Sequence, residues 1–160
     1  MTLAITAVLT GTGAMAQDAS VAPHCGTYEV ITANRLAEVV DVAPEGVSVG
    51  DQRVGSHDLT AADGTVVGKS YWATKVADTS NGVHTLIGDA NHVYENGTLH
   101  HNFIYQLPDP LKPEIPKDLQ SFDYHVIGGT GEFAGAEGTA YYSSDSDGNR
   151  IIRLELDCGS

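Results

Sequence analysis

Three histidines, His57, His92 and His101, set among tyrosines and one tryptophan, are the side chains of this sequence best suited to proton chemistry near neutral pH. Two of them flank an Asn96-Gly97 pair in ANHVYENGTLHHNFIYQL, two alternating runs joined by a turn dipeptide, which predicts a β-hairpin. A two-residue turn at Asn96-Gly97 sets Tyr94 opposite Leu99, His92 opposite His101 and Ala90 opposite Phe103 on one face. Leu86, Tyr105 and Leu107 extend that face, whereas Asp89, Asn91, His100, Asn102 and Gln106 fall on the other. The first face is therefore the interior, apolar except for two histidines and two tyrosines. Polar groups placed there need partners or a ligand. His92 and His101 are a structural pair, the lining of a functional cavity, or metal ligands; with no third ligand at diagnostic spacing, no metal site is expected. On residues 66–76, Lys69 and Lys75 claim the outside, so Ser70, Trp72 and Thr74 face in. Trp72 is either core or the wall against which a flat apolar ligand lies.

The elements that must position these residues are short strands. Eighteen glycines, many β-branched residues and no long run of period 3.6 indicate an all-β chain. The predicted strands are 27–32, 35–42, 54–59, 66–76, 83–94, 98–107, 119–127, 136–143 and 150–156, eight or nine in all. Turn sequences such as Pro44-Glu45-Gly46, Asp63-Gly64 and Ser80-Asn81-Gly82 divide them. Residues 109–117, with three prolines, form a stiff loop, either a lid or a plain connector. Residues 143–149 have the composition of a calcium loop without its ligand spacing, and are read as an exposed hairpin loop.

Residues 124–142, YHVIGGTGEFAGAEGTAYY, are read as a strand, a turn forced by Gly128, Gly129 and Gly131, and a second strand, with Phe133 as an apolar plug. IGGTGEFAGAEG resembles the glycine signature GG-[ST]-G-x-F-x-x-x-x-G shared by plant allene oxide cyclases and dirigent proteins. A looser likeness through Tyr28-Glu29-Val30, Val49-Gly50-Asp51, residues 56–60 and residues 64–68 runs in the same order, so the resemblance spans roughly Thr27 to Ser143. It implies a closed eight-stranded antiparallel β-barrel of calycin-like type, and commonly a dimer or trimer. It also implies a pocket in which Glu29 takes the place of a first-strand glutamate, His57 that of a polar pocket residue and Tyr105 that of a pocket tyrosine. Thr74 stands where the cyclases have a cysteine and Ile31 at a second polar position. On this reading Glu29, His57 and His101 are catalytic, and Trp72, Thr74, His92, Tyr94, Phe103 and Tyr105 hold the substrate. No cofactor is expected.

A formal charge of −13 argues against nucleic acid and anionic membranes as partners and is read as a solvated surface or one suited to a cationic partner, while the resemblance implies a small hydrophobic molecule in the barrel. Residues 1–16 are apolar and end in Ala14-Met15-Ala16, the form of a signal peptide's cleavage site, although no Lys or Arg stands at the front. A short extension, 17–24, then leads to a single domain over 25–160. Cys25 and Cys158 suit export to an oxidising space, secreted or periplasmic, as a disulfide tying the two ends of the barrel; free thiols or a metal pair are the alternatives. Three functions compete. The first is a cyclase or isomerase that steers a hydrophobic substrate. The second is a lipocalin-like carrier without chemistry. The third is a module whose barrel is packed solid.

Overall fold

The computed structural model describes residues 23–112, 121–145 and 149–159. The signal-like segment 1–16, most of the proline-rich loop and the centre of the 143–149 loop lie outside them. The strands are β1 (Gly26–Val40), β2 (Gln52–Thr60), β3 (Val66–Asp78), β4 (His84–Tyr94), β5 (Gly97–Leu107), β6 (Phe122–Gly131), β7 (Glu137–Ser144) and β8 (Arg150–Asp157), with a 3-10 turn at Ser80–Gly82. Each pairs antiparallel with the next and β8 returns to β1, closing an eight-stranded barrel. Among the described residues no helix is long and apolar enough to cross a membrane.

Two of the nine expected segments are one strand. Residues 27–32 and 35–42 both belong to β1, which is bent by a bulge between Ala33 and Leu36. Asn34 takes a positive φ of 49° there, a conformation asparagine tolerates, and its amide donates to Asp58 Oδ2 at 2.8 Å. The bulge resets the alternation, so Leu36 ends 67% exposed and Arg35 turns inward.

The β4–β5 hairpin forms as expected but two residues out of register. The turn is Glu95-Asn96, Tyr94 pairs with Gly97, His92 with Leu99 and Ala90 with His101. Gly97 belongs to the strand because a Cβ there would sit 2.1 Å from the Thr130 carbonyl oxygen of β6. The Asn96 amide, freed from the strand, donates to the Pro23 carbonyl at 2.7 Å and to Glu132 at 2.9 Å. The glycine stretch is corrected in the same way. Gly128, Gly129 and Gly131 lie within β6, paired with His100, Leu99 and Gly97, and the turn follows them around Phe133. Phe133 is fully buried and, with Leu59, Leu99, Leu154 and Leu156, plugs one end of the barrel. At that end a disulfide joins Cys25 to Cys158, with Cα atoms 5.9 Å apart across 133 residues.

Candidate active site

The inward faces of all eight strands meet in the half of the barrel away from the disulfide. Arg35, Thr74, Phe103, Tyr105, Tyr142 and Ile152 lie on the strand halves that adjoin loops 41–51, 79–83, 108–121 and 145–149, with Trp72 at the middle of β3 and His57 just past the middle of β2. With Ser70, Ala90, His92, Phe122 and Tyr124 they enclose a cavity of about 40 Å³. That is room for roughly three water molecules, not for a drug-sized ligand. The wall is aromatic: Phe122 packs 4.8 Å from Tyr142 and 5.2 Å from Tyr105, and Phe103 lies 4.6 Å from Tyr124, centroid to centroid. Trp72 and Phe122 are only half-buried, so they are the parts of the wall with space to yield.

Trp72 is seated by a missing side chain. It pairs with Gly55 of β2, where a Cβ would stand 2.5 Å from the indole Cζ2 and 2.2 Å from the Leu36 carbonyl oxygen. The Arg35 guanidinium covers the indole at 4.9 Å, a cation–π contact inside the barrel. Arg53, 1% exposed, places Nη1 3.4 Å from the Tyr105 hydroxyl. Burial and the neighbouring Arg53 charge both lower the Arg35 pKa.

His57, Ser70 and His92 form one row across β2, β3 and β4, each the Cα partner of the next. His57 Nε2, Ser70 Oγ and, further along β3, Thr74 Oγ1 are buried with no hydrogen-bond partner among the described residues. Burial, reinforced by the Arg35 charge and opposed by Asp58, lowers the His57 pKa to about 4. Near neutral pH it is therefore an uncharged imidazole that can donate or accept a hydrogen bond. His92, also neutral because of burial, bonds through Nδ1 to the Tyr94 hydroxyl at 3.3 Å. The His101 ring lies tilted against that of His92, with centroids 4.2 Å apart, and is not among the residues that line the cavity. Neither of its ring nitrogens has a partner among the described residues, and burial lowers its pKa to about 3.

Of the expected site residues, His57, Trp72, Thr74, His92, Phe103 and Tyr105 line the cavity, while Tyr94 lies one level below, beside Phe133. Glu29 does not belong there: it is exposed on the outer face of β1, between the inward Tyr28 and Val30, opposite Arg153 of β8. The sequence reading missed Arg35 and Arg53, and it did not assign Phe122, Tyr124 and Tyr142 to the site. Among the described residues no group of three potential ligands is arranged to hold a metal ion.

No family model and no curated protein matches this chain. Among solved structures, a pyocyanin demethylase is similar in fold, at 22% identity and a TM-score of 0.65, over 82% of this chain and 99% of that one. A Diels-Alderase from Streptomyces koyangensis follows at 13% identity and a TM-score of 0.58, over 82% of this chain and 62% of that one. An exo-specific intermolecular Diels-Alderase matches at 11% identity and a TM-score of 0.50, over 81% of this chain and 97% of that one. At these identities the likeness is one of fold. The fold thus recurs in proteins named as small-molecule enzymes.

Proposed function

We propose that the chain is an exported member of the allene oxide cyclase and dirigent barrel superfamily that takes a flat hydrophobic molecule into the barrel and steers its cyclisation or isomerisation. The observation that carries this reading is the set of unpartnered polar atoms, His57 Nε2, Ser70 Oγ and Thr74 Oγ1, on an otherwise aromatic cavity wall. Burying such atoms unbonded costs about 1–3 kcal/mol each, a cost that a substrate's oxygen or nitrogen would offset. The fold neighbours named for a cycloaddition and for a reaction of pyocyanin are in keeping with it.

In this reading the aromatic walls hold one conformer of the substrate, which can account for several kcal/mol of a barrier. His57, held neutral, donates or accepts a hydrogen bond where charge develops and does not act as a strong base. Phe122 and Trp72 give way to admit the substrate, since the space between the closed side chains is too small for it. The outward position of Glu29 favours a second reading, a carrier with no chemistry, because it removes the acid that catalysis was expected to use. Ile87 and Ile104, Cα partners that are 45% and 66% exposed, offer an apolar outer patch for the self-association that the resemblance implies.

The test is a panel of planar heteroaromatics, phenolics, polyenes and oxylipins, followed by Trp72 fluorescence and by mass analysis of each compound after incubation. An enzyme binds at least one compound and converts it, and His57→Gln lowers kcat by roughly a hundredfold with KM little changed. Saturable binding without conversion supports the carrier. A Trp72 signal that responds to nothing overturns both readings.

A further inference from the structure

Below the cavity floor the barrel is plugged by apolar side chains, yet a line of hydroxyl and imidazole groups runs through the plug. The His92 ring reaches the cavity, and its Nδ1 lies 3.3 Å from the Tyr94 hydroxyl. The Tyr94 hydroxyl in turn lies 3.5 Å from that of Tyr28. Tyr28 is half-buried, and its ring stacks on exposed His24 at 6.0 Å, where the chain enters the barrel. Gly68, the Cα partner of Tyr94, makes the line possible: a Cβ there would stand 2.5 Å from the Tyr94 ring. A tyrosine held this way beside Phe133 in the apolar core fills space no better than a phenylalanine, and its hydroxyl is the part that needs a reason.

We propose that Tyr28 and Tyr94 form a proton relay that joins His92 in the cavity wall to the surface at the closed end of the barrel. With Tyr28 donating to Tyr94 and Tyr94 to Nδ1, His92 carries its proton on Nε2, facing the cavity. For delivery, a hydronium ion or buffer acid at the surface gives a proton to Tyr28 and leaves as water or the conjugate base, Tyr28 gives its own to Tyr94, Tyr94 gives its own to Nδ1, and Nε2–H goes to the substrate. Each group gains one proton and loses one, and His92 ends as the other tautomer. The reverse sequence removes a proton. Burial raises the pKa of Tyr94 well above its ordinary value and that of Tyr28 to about 12, and lowers that of His92, so all three pass the proton while neutral. The relay serves the proton transfer of the proposed function, but its test reads exchange and needs no substrate.

The experiment is nitrogen-15 NMR of the oxidised protein, reading the His92 tautomer and the exchange of the His92 and His101 ring protons with deuterium oxide. Both rings are 1% exposed, but only His92 is on the line. The expected result is a His92 ring proton that exchanges faster than that of His101, and that slows roughly tenfold or more in Tyr94→Phe while His101 is unchanged. Tyr28→Phe, at a half-buried site with less effect on packing, gives the same slowing. Unchanged His92 exchange in both variants, which would mean that its protons come through the cavity mouth, overturns the relay. Such a result leaves the proposed function standing, whereas a failed ligand panel leaves the relay standing.

Discussion

His101 shows how far a residue's type can mislead about its role. It is the histidine most completely removed from partners, with both ring nitrogens unbonded among the described residues and with no place in the cavity lining. An orphaned polar group at such a site costs about 1–3 kcal/mol. We therefore expect His101→Phe, which keeps the ring and removes the nitrogens, to raise the urea midpoint at neutral pH by about 1 kcal/mol of stability, while His101→Ala loses about 2–4 kcal/mol through the void it leaves. A His101→Phe variant that loses stability would show that the ring's nitrogens are in use. Glu29 errs in the other direction. The resemblance put it in the pocket, but the alternation of Tyr28, Glu29 and Val30 already set it on the face opposite two core residues. Local periodicity was the better guide.

At the scale of strands, what could be read from sequence depended on parity. The hairpin register was wrong by two residues, yet the inward set of Leu86, Ala90, His92, Tyr94, Leu99, His101, Phe103, Tyr105 and Leu107 is correct, because a shift of two leaves every side chain on its own face. Arg35 was lost because it sits within the bulge that shifts the parity, and no alternation pattern announces a bulge. Arg53 was lost because β2 begins two residues before the expected strand. Phe122, Tyr124 and Tyr142 flank the glycine stretch, which drew attention to its turn and not to its walls. The glycines opposite rings matter equally. Gly55→Ala is expected to push Trp72 off its seat at a cost of about 1–3 kcal/mol, seen as a lower unfolding midpoint together with a shift in tryptophan emission. Lower stability with an unchanged emission spectrum would mean that the strand moved and the indole did not.

For the whole molecule, the three interior histidines set the acid limit. His57 and His101 have folded pKa values of about 4 and about 3, and His92 lies well below its ordinary value, against about 6.5 in the unfolded chain. Above pH 6.5 neither state holds these protons and they do not affect stability. As the pH falls from about 6.5 towards 4 the unfolded chain binds protons that the barrel refuses, and each proton tilts the balance by about 1.4 kcal/mol per pH unit. Stability, followed as the urea midpoint, should therefore fall steeply between pH 6.5 and 4, and less steeply in His101→Phe. A flat profile over that range would mean that the histidines titrate inside the fold. The all-β class and the disulfide were legible because they follow from composition, alternation and the positions of two cysteines, whereas alternation alone left eight or nine strands and the resemblance implied eight. The cavity's size was not legible, because it depends on how far six aromatic rings from four strands interdigitate.

Pairing of β1 with β8, locked by Cys25 and Cys158, gives the molecule a polarity of approach. Both ends of the described fold, at residues 23 and 159, emerge at one pole, and the aromatic cavity faces the other. Anything fastened to either end, whether a resin or a fused partner, hangs from the sealed base and leaves the mouth turned towards solution. The proton line through Tyr94 and Tyr28 reaches that same base. A tether there would thus leave ligand entry untouched while standing directly over the far end of the relay.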